Sequence, residues 1–194
     1  MKAVEAVVEI LKREGVECLI GYPVNHVLEY AARWDIRPII VRQERIGLHM
    51  ADAMSRMTSG KSVGVFAMQH GPGAENAYGG VAQAFGEGVP ILVLPMGYAR
   101  RLAHIRPNFN STKAMADVAK TTEPITSADE VPNILRRAFT QLRHGRGGPR
   151  ASRRDRRQGR RARHQYIMGQ RRRGRGAGQR RQLCTTHRRH HCVW

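Results

Sequence analysis

The stretch SVGVFAMQHGPGAENAYGGVAQAFGEGVPILVL, residues 62–94, reads as a strand, a turn, a helix and a second strand in succession. Residues 62–68 form a β-branched and apolar run, the composition of a strand. Gly71-Pro72-Gly73 breaks that run. Residues 74–85 carry the small side chains of a helix lying close on a sheet. Pro90-Ile91-Leu92-Val93-Leu94 is nearly all apolar, the pattern of a parallel strand covered on both faces.

The same alternation extends outward in both directions. Val4, Val7, Val8 and Leu11 make the apolar stripe of an amphipathic helix, with Gly15 placed to end it. Residues 16–20 read as a short strand stopping at Gly21-Tyr22-Pro23, and a second helix fits residues 26–34. Residues 37–41 form a second strand, in which Pro38 is tolerable near the start. Between residues 44 and 59, Ile46, Met50, Ala53, Met54 and Met57 again fall on one helical face. Beyond the quoted stretch, residues 96–112 show no period and read as a long loop. A short helix at 113–118, a strand at 121–125 and a helix at 128–144 complete the set. Regular alternation of strand and helix predicts an α/β fold, a parallel sheet with helices on both faces.

After Gly147-Gly148-Pro149 the pattern gives way to Arg150-Ala151-Ser152-Arg153-Arg154-Asp155-Arg156-Arg157, where another buried strand is due. Residues 1–149 contain 18 Lys and Arg against 14 Asp and Glu; residues 150–194 contain 16 Arg and one Asp. The formal charge of +19 therefore belongs mostly to the tail, and the first 149 residues have the balance of an ordinary soluble domain. A tail with so little apolar content is expected to be disordered, since it buries too little surface to offset ordering entropy. Two explanations fit it: a functional basic tail for RNA or another polyanion, or out-of-frame reading of GC-rich DNA. The abrupt switch, its position at an expected strand and the absence of interleaved Lys or Glu favour the second. The expected organisation is a domain at 1–149, incomplete at its C-terminal end, and a tail at 150–194.

Cys18, Cys184 and Cys192 form no CxxC pair, and Cys18 falls in the first strand as a reduced core residue. Cys184, His187, His190, His191 and Cys192 are of metal-ligand type but lack regular zinc spacing. No apolar run approaches the roughly 20 residues of a membrane helix, and the start lacks a signal-peptide core, so a cytoplasmic protein is expected.

Glu44 stands between a strand and a helix, at the rim where α/β sheets present ligands. Read alone it is equally a first-turn glutamate helped by the helix dipole and flanked by Arg42 and Arg45. Gly71-Pro72-Gly73 opens a helix after a strand, as a phosphate cradle would, but Asn76 stands at the final glycine of GxGxxG and Glu75 would repel a phosphate.

Three segments in order carry a resemblance: Gly21-Tyr22-Pro23; Val41-Arg42-Gln43-Glu44-Arg45 continuing through His49-Met50-Ala51-Asp52-Ala53 to Arg56; and Gly71-Pro72-Gly73-Ala74-Glu75-Asn76-Ala77 followed by Gly88-Val89-Pro90-Ile91-Leu92. The chain resembles the N-terminal, pyrimidine-binding domain of thiamine diphosphate (ThDP) enzymes of the acetolactate synthase kind. That resemblance implies transferase or lyase chemistry on 2-keto acids, by carboligation or decarboxylation. It assigns the catalytic role to Glu44, whose counterpart hydrogen-bonds N1′ of the aminopyrimidine and favours the imino tautomer that deprotonates thiazolium C2. It implies a cofactor lining from Gly21, Tyr22, Pro23, Glu44, Gly71, Pro72, Gly73 and Asn76, with Asn76 bonding locally and Gln69 and His70 facing substrate or cofactor.

Two departures from the family pattern stand out. Val24-Asn25 replaces a glycine pair common after the Gly-x-Pro turn, which bears on the substrate subclass. The Gly-Asp-Gly motif and downstream asparagine that hold Mg²⁺ and the diphosphate are absent, and Gly86-Glu87-Gly88 is no substitute. The expected partner is therefore a homodimer mate or a separate subunit carrying the diphosphate domain, and the chain alone is expected to be inactive. Arg100, Arg101, Arg106 and Asn110 could serve substrate or subunit contacts, or form an ordinary basic loop. The alternative function is polyanion binding through the tail, which would be steeply salt-dependent; Tyr166 and Trp194 offer little for base stacking. A dinucleotide-binding domain is disfavoured by the missing GxGxxG after the first strand.

Overall fold

The apolar stripe of the first helix faces inward: α1 (Ala3–Arg13) buries Val4, Val7, Val8 and Leu11. Gly15, at φ +80°, ends it while the Val16 amide returns to the Leu11 carbonyl at 3.0 Å. The computed structural model describes residues 2–155 and 164–168, apart from 24, 100, 104 and 145–147. Within them β1 (Cys18–Gly21), α2 (His26–Arg33), β2 (Arg37–Ile40), α3 (Glu44–Met57), β3 (Gly64–Met68), α4 (Pro72–Glu87) and β4 (Ile91–Gly97) follow in turn. Short α5 (Ser111–Ala114) and β5 (Thr121–Thr122) precede α6 (Val131–Arg143), β6 (Arg150–Asp155) and β7 (His164–Met168).

Four parallel strands in the order β2-β1-β3-β4 make the body of the sheet, with Gly21 beside both Ile40 and Ala67. Side chains alternate across it, as the period of two requires. Leu19, Val65, Ala67, Leu92 and Leu94 join α1, α2 and α6 in one core, while Ile20, Phe66, Met68, Ile91 and Val93 join α3 and α4 in the other. The α/β class with both faces covered is borne out.

Several boundaries move. The loop expected from residue 96 begins later, because β4 runs to Gly97 through Pro95, whose missing N–H falls at the end of the ladder. The strand expected at 121–125 is only Thr121–Thr122, and the short helix starts at Ser111, where Asn110 caps it by accepting from the Lys113 amide at 3.2 Å.

The largest local correction concerns α3. Its buried residues are Glu44, Gly47, Leu48, Ala51, Asp52 and Ser55, while Ile46, Met50 and Met57 are exposed. The helix lies close on β3 where Gly47 meets the Phe66 ring and Ala51 meets Gly64. A Cβ on Gly47 would stand 2.4 Å from the Phe66 ring, and one on Gly64 would stand 1.9 Å from the Ala51 carbonyl oxygen. Periodicity of large apolar residues therefore marks the wrong face.

The sheet also continues past the boundary expected at 149, since β6 pairs parallel with β4, Leu92 opposite Arg150 and Gly97 opposite Asp155. Ladder hydrogen bonds come from the main chain, and the slot beside β4 accepts a strand whatever side chains it carries. Residues 156–163 and 169–194, including the Cys/His group of the tail, lie outside the described residues.

Candidate functional site

Four of the residues singled out from sequence meet where the C-terminal ends of the strands open into helices. Gln43 is the N-cap of α3, in extended conformation, so Glu44 is the first helical residue and its side chain folds inward. Glu44 is 6% exposed, a deep position for a carboxyl group. Its Oε2 accepts a hydrogen bond from Asn76 Nδ2 at 2.8 Å. That contact crosses 32 positions from α3 to α4, so Asn76 bonds across the site rather than locally. Oε1 lies 2.9 Å from where a Cβ on Gly73 would stand, and the Gln69 Cβ is equally close on the other side. Arg42 and Arg45 are exposed, and among the described residues neither forms an ion pair with Glu44.

The turn that opens α4 is shaped by Gly71, at φ +57° and ψ −110°, a conformation that side chains resist. A Cβ there would also fall 2.6 Å from the Tyr98 hydroxyl. Pro72 follows at the first position of the helix, where its missing N–H costs nothing. His70 packs edge-on against Tyr98, ring centroids 4.4 Å apart. The turn is thus bounded by the Glu44 carboxyl group on one side and the Tyr98 phenol on the other. Gly21 sits against the Ala67 carbonyl oxygen, and the Tyr22 amide donates to that same oxygen at 3.0 Å. Tyr22 is half-buried and Pro23 exposed. The 21–23 turn reaches the site only through the ends of β1 and β3.

Sequence reasoning missed two contributors. Asn25, at 2% exposure, caps α2 by accepting from the Val27 amide at 3.0 Å. Its Nδ2 donates to the Met68 carbonyl at 2.9 Å and the Leu94 carbonyl at 3.0 Å, tying the ends of β3 and β4 together just before the His70 turn. An asparagine before a helical stripe was a legible cap signal; the long-range bonds were not. Tyr98 was read as loop because nothing local says that it returns over Gly71.

A buried carboxyl group with one oxygen held by Asn76 and the other packed against Gly73, at the rim where strand ends meet helix starts, marks an α/β ligand-binding domain. Residues 1–121 match the family described as thiamine pyrophosphate enzyme, N-terminal TPP binding domain, and the chain belongs to that family. It is 33% identical over 162 residues to the acetolactate synthase large subunit of Haemophilus influenzae, covering 77% of this chain and 27% of that protein. Similarity to the isozyme 3 large subunit of Escherichia coli is 32% over 155 residues, with the same two coverages. The large subunit of Lactococcus lactis is 35% identical over 156 residues, covering 75% of this chain and 26% of its own. The chain thus spans about a quarter of the length of these relatives. Among the described residues no helix is long and apolar enough to cross a membrane, and no three His, Cys, Asp or Glu side chains converge as a metal site.

Proposed function

We propose that this chain supplies the pyrimidine half of a ThDP site in an acetolactate synthase-like enzyme of 2-keto acids. The observation that carries the reading is the Glu44 carboxyl group, buried and held through Oε2 by Asn76, with Oε1 packed against the glycine turn at Gly73, where a Cβ would stand only 2.9 Å away. Because Oε2 already accepts from the Asn76 amide, a carboxyl proton belongs on Oε1. Glu44 would therefore donate from Oε1 to the ring nitrogen N1′ and take the proton back at the same atom, sheltered from water by its burial. When bound, ThDP supplies the carbanion chemistry that lets 2-keto acids be decarboxylated or joined. Gly71, Pro72 and Gly73 would line one side of the ring, and Gly21, Tyr22 and Pro23 the approach from β1. Gln69 and His70 precede the turn and would face the substrate.

The sequence holds no Gly-Asp-Gly motif, and among the described residues no cluster of metal-ligating side chains is present for Mg²⁺, so turnover would require a further domain carrying those ligands. The half-site can be tested by titrating the chain with thiamine and following amide chemical shifts. Wild type should show saturable shifts at residues 43–48 and 69–76, and Glu44→Gln or Gly73→Ala should abolish them. Equal binding by both variants would sink the assignment.

A further inference from the structure

One side chain fastens the start of α2 to the ends of two strands that belong to other parts of the chain. Asn25 is 2% exposed, and both its amide protons and its oxygen are engaged. Oδ1 accepts from the Val27 amide at 3.0 Å, while Nδ2 donates to the Met68 carbonyl at 2.9 Å and to the Leu94 carbonyl at 3.0 Å. Only a short planar amide can do all three. An ionised aspartate has no proton to give, serine has one, and lysine or arginine has no acceptor for the helix cap. The glycine pair common at this place in the resembling family would make none of these bonds, so the tie belongs to this chain's own sequence.

The chain that follows each held carbonyl forms one side of the glycine turn. Met68 closes β3, and Gln69, His70 and Gly71 come next. The Gln69 Cβ and Glu44 Oε1 each lie 2.9 Å from where a Cβ on Gly73 would stand, so the level of the β3 end sets how the turn meets the acid. Beyond Leu94, β4 runs to Gly97. Tyr98 then places its hydroxyl 2.6 Å from the Cβ position of Gly71 and its ring edge-on to His70. The starts of the same two strands are tied separately, by Ser55 at the far end of α3 from Glu44, between the Gly64 amide and the Pro90 carbonyl. We propose that Asn25 is a positioning residue of the half-site: it holds the ends of β3 and β4 level, and so sets the 69–73 turn against Glu44 on one side and Tyr98 on the other. Sites of this kind tolerate displacements of only about 0.5 Å. The role rests on the cofactor reading and adds to it a residue that touches neither cofactor nor Glu44.

Titration of the isotope-labelled full chain with thiamine tests it, with Asn25→Ser and Ser55→Ala beside wild type and circular dichroism to confirm that each is folded. Serine at 25 keeps the helix cap and loses the fork of two donors. Asn25→Ser should weaken thiamine binding on the order of tenfold and weaken the nuclear Overhauser contact between the His70 and Tyr98 rings. Ser55→Ala, which loosens the other end of the same strands, should leave both within about twofold of wild type. In wild type, reciprocity requires thiamine to slow exchange of the Asn25 Nδ2 protons, a readout that holds even where Asn25→Ser does not fold. Wild-type affinity and an intact ring contact in Asn25→Ser would overturn the role. So would equal loss of binding in Ser55→Ala, or Nδ2 exchange unmoved at saturation. A wild type that never binds thiamine would instead sink the cofactor reading, and this role with it.

Discussion

Glu44 and Asp52 are acids two turns apart on α3, each 6% exposed, and they stand in opposite environments. Asp52 is answered in full: Arg56 Nε and Nη2 donate to its two oxygens at 3.0 and 3.2 Å, and Arg56 pairs in turn with Glu87. These partners hold the Arg56 guanidinium above its ordinary pKa, hydrogen bonding to Glu87 contributing most and that to Asp52 next. Glu44 has a single amide donor and no cation among the described residues. Around Asp52 the packing is closed, with Gly64 pressed on Ala51 and Ser55 Oγ bridging from the Gly64 amide at 2.7 Å to the Pro90 carbonyl at 2.6 Å. Around Glu44 the close neighbours are the Asn76 amide and the glycine turn at Gly73, with no charged group to answer the acid among the described residues. Burial is common to both acids; what separates them is that Asp52 has a cationic partner and Glu44 has only a neutral amide among the described residues.

Substitutions at the two ends should separate accordingly, each read by urea denaturation. Gly64→Ala places a methyl group against helix backbone that cannot yield without moving α3, and should cost about 3 kcal/mol or more. Ser55→Ala strands the Gly64 amide and the Pro90 carbonyl and should cost about 2 kcal/mol. Asp52→Asn weakens the Arg56 contact and should cost about 1–2 kcal/mol while leaving thiamine titration intact. Glu44→Gln should change stability least, by no more than about 1 kcal/mol, because an amide oxygen remains to accept from Asn76 and the side chain keeps its shape. Its ligand response, in contrast, should vanish. A large stability loss from Glu44→Gln, or loss of thiamine binding from Asp52→Asn, would reverse the contrast.

A thiol at the closed end gives a smaller check. Cys18 is half-buried with its Sγ 3.5 Å from Met54 Sδ, and desolvation raises its pKa. In a Cys184→Ser/Cys192→Ser background it should react with iodoacetamide at pH 8 more slowly than free cysteine, and urea should abolish the difference.

Much of this was legible before any coordinates. The α1 stripe and its Gly15 stop, the strand expected at residues 62–68 and the helix after Gly71-Pro72-Gly73 are all local signals, and they fell within a few residues of the observed elements. The ordered motifs around Glu44 identified the domain type. What failed was whatever depended on distance between elements. Ile46, Met50 and Met57 read as an apolar face, yet the sheet packs on the Gly47, Leu48 and Ala51 side, because close helix–strand approach selects for smallness, which hydropathy does not score. The bond from Asn76 to Glu44 and those from Asn25 to β3 and β4 had no local trace.

The sequence by itself determined the alternation of strands and helices and the turns between them, since backbone preference and amphipathic period act over a few residues. Only the tertiary structure decided which side of α3 is interior, which oxygen of Glu44 is already engaged, and that Tyr98, far downstream in the chain, borders the glycine turn at Gly71. Those facts follow from the crossovers of a parallel sheet, which bring residues remote in the chain to one rim.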